Sequence, residues 1–205
     1  MSGTIILAIV LAVIVVLGAA VLILRTGTRD RGHDLRRRFG PEYDRVAARH
    51  GDQAAAEQEL AERVREHDAL KLRPLAQDER ERYERTWNSV QERFIEDPRG
   101  ATQQADQVIS GLLTAIGYPS DDREKQLELA SVDHAYALSD YREARELAQR
   151  GLNGDGVAAR REAGAADGAV DSSTETLRQA LLHYRVMFND LLGHAGAERA
   201  HAGQR

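Results

Sequence analysis

The chain has no cysteine, which excludes a disulfide framework, a thiol nucleophile and thiolate-held zinc or iron–sulfur centres. Lysine is scarce as well: Lys71 and Lys125 are the only two among 28 basic residues, and arginine supplies the rest. Aromatic residues make up 5 % of the sequence, with Trp87 the single tryptophan, so the core has to be built on alanine, leucine and valine. Beyond residue 24 no segment alternates apolar with polar residues or gathers β-branched ones, which argues against strands. A phosphate-binding Gly-x-x-x-x-Gly-Lys loop is missing, and so is His-Glu-x-x-His. Gly151, Gly154 and Gly156 lack the preceding strand that a dinucleotide site needs.

What is present begins with residues 1–24, which carry no charged side chain. Residues 4–24 are a run of 21 in which only Thr4 and Gly18 interrupt the large apolar residues and alanines. At ~1.5 Å per residue the run spans roughly 30 Å, the thickness of a bilayer's hydrocarbon core. No Lys or Arg precedes it, and Ala19-Ala20 is followed by Val21-Leu22-Ile23-Leu24, a poor context for cleavage of a signal peptide. The expectation is a retained single-pass transmembrane helix over residues 1–24.

Arg25, Arg29, Arg31, Arg36, Arg37 and Arg38 follow the run, against only Asp30 and Asp34. Basic residues beside a span favour the cytoplasmic side, so the expected topology has the N-terminus outside and the domain in the cytoplasm. The same six arginines would attract anionic lipid headgroups. The reverse orientation, a cell-surface or secreted domain, is the alternative. The net charge is −5 and no basic stripe recurs later, which argues against a nucleic-acid partner.

The remaining chain reads as all-α, a soluble bundle of five or six helices over residues 39–193 behind a basic linker at 25–38. Gly40-Pro41 opens a short helix that Gly51 ends. Asp52 caps a helix over 53–70, with Ala56, Leu60, Val64 and His67 as its apolar stripe. A helix over 78–96 carries Tyr83, Trp87, Val90 and Phe94. Its Tyr83, Trp87 and Phe94 form either the centre of the core or a face for a partner. Asp97-Pro98 starts the most amphipathic helix, which Gly117-Tyr118-Pro119 stops. Asp121 with Glu124 predicts a short helix over 121–131, and Asp133 a further one to about residue 150. Residues 151–171 are rich in Gly and Ala and predict a flexible loop. Ser172 with Glu175 starts a last helix ending at Gly193, and residues 194–205 read as a disordered tail.

The run Arg38-Phe39-Gly40-Pro41-Glu42-Tyr43-Asp44-Arg45 resembles the entry motif of a family of uncharacterised actinobacterial proteins with an apolar N-terminal segment, often labelled secreted. Arg73-Pro74-Leu75, the Tyr83–Trp87–Phe94 stripe into Asp97-Pro98, Gly117-Tyr118-Pro119 and Val132-Asp133-His134 extend the resemblance over most of the chain. The resemblance implies an anchored helical domain and brings neither an activity nor catalytic residues.

Seven histidines invite a search for chemistry. The only Glu-x-x-His is Glu198 to His201, in the expected tail, so no bundle-type metal set is assembled. His67 lies between Glu66 and Asp68, and His134 follows Asp133, but Ser131 lacks the elbow and oxyanion loop of a serine nucleophile. The expectation is a membrane-tethered, non-enzymatic module without cofactor or metal that binds another protein or itself. The alternative is a membrane-associated enzyme with a helical site around His134 or His183.

Overall fold

The computed structural model describes residues 32–153 and 166–202, with side chains described over 32–153 and 172–194. The apolar run at 1–24 and the basic residues Arg25, Arg29 and Arg31 lie outside the described residues. Among the described residues no helix is long and apolar enough to cross a membrane. All regular structure there is α-helical: a helical stretch over residues 32–39 precedes six longer helices. These are α1 (Pro41–His50), α2 (Gln53–Asp68), α3 (Gln77–Arg93), α4 (Pro98–Ile116), α5 (Arg123–Asn153) and α6 (Ala166–Ala202). Two compact units divide after Leu60, within α2.

In the first unit, Pro41 occupies the first turn of α1 behind Gly40, whose φ of 46° only glycine adopts readily. Gly51 closes α1 in the left-handed conformation and donates its N–H to Ala47. Asp52 caps α2 by accepting from the N–H groups of Ala54 and Ala55. Phe39, Tyr43, Val46, Ala56 and Leu60 are buried, and the Tyr43 hydroxyl donates to Glu57 at 3.0 Å. The basic stretch expected as a linker is helical from residue 32 on.

The second unit holds the main core. Helix α5 packs along α6 more extensively than any other pair of helices, followed by α4 on α6 and α3 on α4. Asp97 caps α4 through the Gly100 N–H at 2.8 Å. Helix α4 then buries Ala101, Ala105, Val108, Ile109, Leu112, Leu113 and Ile116, the stripe its periodicity predicts. Each fully buried leucine or isoleucine contributes about 1.5–3 kcal/mol. Helix α6 buries Leu177, Ala180, Tyr184, Met187, Phe188, Leu191 and Leu192. Trp87 of α3 stacks on Phe188, with ring centres 4.5 Å apart.

Several boundaries differ from the sequence expectation. The two helices predicted over 121–150 are both present, running end to end as α5 across a kink at His134, whose dihedrals are non-helical (φ −121°, ψ 27°). Asp122, not Asp121, caps α5, accepting from Glu124 and Lys125. Asp133 stands immediately before this kink, and its carboxylate faces α2. The predicted loop over 151–171 is helical at both ends, because α5 runs to Asn153 and α6 begins at Ala166. Residues 154–165 lie outside the described residues. Ser172 sits inside α6, where its carbonyl accepts from Thr176. Helix α6 also passes through Gly193 to Ala202 instead of stopping there. One glycine costs a helix only ~1 kcal/mol, and the alanines that follow are the best helix formers.

Candidate functional site

Among the described residues of the second unit, a group of titratable side chains lies where α2, α5 and α6 meet the turn after α4. That turn is built by glycine. Gly117 has φ of 121°, and a Cβ there would stand 2.9 Å from the Lys71 carbonyl oxygen. Arg73 N–H donates to Ile116 and Tyr118 N–H to Leu113, which pins the turn and buries Tyr118.

The last turn of α2 presents His67, which is buried, and its Nε2 is 3.1 Å from Asp133 Oδ2. The dihedral break in α5 sends the next residue elsewhere: His134 Nδ1 lies 2.5 Å from Asp190 Oδ2 on α6. The Tyr118 ring stands between the two imidazoles, 6.0 Å from His67 and 6.2 Å from His134. His194, one helical turn after Asp190, sets its ring edge-to-face against His134 at 4.9 Å. Three imidazoles, two carboxylates and a phenol thus form one chain of contacts. The His67 contact is the main reason the Asp133 carboxyl titrates at about 2; burial opposes the shift, and the charges of His67, His134 and His194 add to it.

A carboxylate at this distance from Nδ1 fixes the orientation of the His134 ring and leaves Nε2 as its other nitrogen. This is the orientation a general base requires. Ser131 is nevertheless committed elsewhere: its hydroxyl donates to the Glu128 carbonyl at 2.5 Å and accepts from Arg63 at 3.3 Å. The cluster ties α2 to α5 and α5 to α6. Among the described residues no three His, Asp or Glu groups are placed to hold a metal ion.

His183, the other histidine considered for a site, pairs its Nδ1 with Asp140 at 2.7 Å and forms a second imidazole–carboxylate bridge between α5 and α6. Of the stripe on α3, Trp87 and Val90 are buried, while Tyr83 and Phe94 are half-buried and pack against the same core. The Tyr83 hydroxyl donates to the Gly111 carbonyl at 3.0 Å. Arg36, Arg37 and Arg38 are exposed. Arg36 pairs with Asp44 at 3.1 Å and Arg37 with Asp34 at 2.6 Å.

Sequence reasoning missed Asp190, Tyr118 and Arg63. Arg63 is 3 % exposed, more deeply buried than Val64, and pairs with Glu128 at 3.3 Å. Its position was legible: 56, 60, 63 and 67 follow a 4-3-4 spacing on one helix face, and only the expectation that arginine stays outside hid it. Asp190 and His194 are likewise four apart on α6, but nothing local pairs them with His134.

No family model matches the chain, no curated protein is similar to it, and no solved structure resembles it.

Proposed function

We propose that this is a membrane-tethered helical module that acts by binding another protein or a second copy of itself. The observation that carries the reading is the uncharged run at 4–24 followed by six arginines within residues 25–38. The run anchors the chain, the arginines hold it near anionic headgroups, and the helical bundle projects into the cytoplasm. Two features of the bundle support a binding role over catalysis. The imidazoles of His67, His134 and His183 are spent on carboxylates of neighbouring helices, a use that fixes helix positions. Leu182 and Val186, one turn apart on α6, are exposed apolar side chains of the kind a partner covers.

The test is topology. Ser120 is exposed in the α4–α5 turn, and the chain has no competing thiol. Cells carrying Ser120→Cys are treated with a membrane-impermeant thiol reagent. The protein is expected in the alkali-washed membrane fraction and to be labelled only after permeabilisation. Labelling of intact cells would reverse the orientation, and recovery in the washed supernatant would remove the anchor.

A further inference from the structure

A cleft of about 300 Å³ opens between α4, α5 and α6. Asp106, Gln103 and Gln107 reach it from α4, Arg145 and Gln149 from α5, and Tyr184 from α6. The volume is at the lower end of small-molecule sites, which run from ~300 to 1,000 Å³, and suits a ligand of amino-acid size.

Its charges are arranged unusually. Asp106 and Arg145 carry opposite signs in one cleft yet form no ion pair with each other. Asp106 is held from behind, where Oδ1 accepts from the Tyr141 hydroxyl at 2.5 Å and lies 3.7 Å from the Arg123 guanidinium. Among the described residues Arg145 has no carboxylate within ion-pairing distance. Its neighbours three and four residues away on α5 are Tyr141, Arg142, Ala148 and Gln149, none of them acidic. A third group is uncommitted. Tyr184 is 2 % exposed and packs its ring on Tyr141 at 5.6 Å, but its hydroxyl makes no hydrogen bond among the described residues. A phenol that lines the cleft and makes no hydrogen bond to the protein can donate to water or to a ligand there. Burial pushes the Tyr184 phenol well up, Asp106 and Tyr141 add to the rise, and Arg145 and Arg123 oppose it. The hydroxyl therefore stays protonated, within the field of both cleft charges.

We propose that this cleft binds a small zwitterion of the α-amino-acid class, its ammonium against Asp106 and its carboxylate on Arg145 and the Tyr184 hydroxyl. The three glutamine amides donate and accept, and they suit a polar side chain on that ligand. Separate positive and negative groups in one cleft bind both ends of such a molecule and discriminate against compounds carrying one charge.

Calorimetric titration of the full chain in detergent tests this, with the standard amino acids as probes and their methyl esters and N-acetyl derivatives as one-charge analogues. At least one free amino acid is expected to bind, and its two analogues to bind about tenfold or more weakly. Arg145→Gln is expected to lose at least about tenfold and Tyr184→Phe about fivefold. Arg185→Gln, which alters a different cleft beside Arg80 and Trp87, should bind as the unmodified chain does. The proposal is overturned if no free amino acid binds or if the analogues bind as well as the parent. It is also overturned if Arg145→Gln, folded by circular dichroism, binds unchanged. The analogue comparison needs no variant and stands even where a substitution unfolds the chain.

Discussion

Asp133 shows how one side chain couples helix packing to solution conditions. Its folded-state carboxyl titrates at about 2 against 3.8 for an unperturbed aspartate, so the folded chain gives up this proton more readily than the unfolded chain. The ionised group therefore stabilises the fold above about pH 4, and that contribution disappears as the pH falls towards about 2. With 23 % of the side chain still in contact with water, the effect is discounted to on the order of 1 kcal/mol. Urea denaturation at a series of pH values is expected to show Asp133→Asn losing less stability over that interval than the parent. Equal losses in the two proteins would assign the acid sensitivity to other carboxylates. The sequence marked Asp133 as a helix cap, a local role, because its partner His67 is 66 positions away and no local rule connects them.

Among the elements, α5 and α6 show what short-range signals can and cannot carry. The apolar periods of α4 and α6 were legible because a 3.6-residue repeat is a property of the sequence alone. Their ends were less so. Gly151 reads as the start of a flexible loop, yet it is buried inside α5, where a Cβ would meet Leu177 Cγ and Cδ2 at 2.7 Å and the Ser173 carbonyl at 3.3 Å. It is small because α6 passes close by, not because the backbone needs freedom. Gly151→Ala should thus destabilise the second unit by about 1–3 kcal/mol through overpacking, despite alanine's better helix propensity. A thermal melt of this variant decides the matter: a raised melting temperature would mean that helix propensity outweighs the close approach. The break at His134, by contrast, was legible. Asp133-His134 announces a helix boundary in the sequence, and α5 kinks there, its irregular dihedrals pointing neighbouring side chains at two different helices.

Across the whole molecule, the main hydrophobic cluster extends from Leu75 to Leu192 and lies within the second unit. A chain beginning at Gln53 keeps α2 intact together with that cluster. It is expected to unfold in one cooperative transition, followed by helical circular dichroism during heating. A stepwise loss of helix would show that the cluster depends on the residues removed. By itself the sequence determined the all-α class, the Asp52 and Asp97 caps, the glycine ends of α1 and α4 and the buried stripe of α4. These depend on backbone sterics, local hydrogen bonds and periodicity, which act over a few residues. Only the tertiary structure decided that Arg63 turns inward to Glu128, that His67 and His134 take carboxylates from different helices, and that Asp106, Arg145 and Tyr184 share one cleft. Those pairings join residues far apart in the chain, and their strength comes from partial burial, where removal from water makes each charge depend on whichever partner packing brings to it.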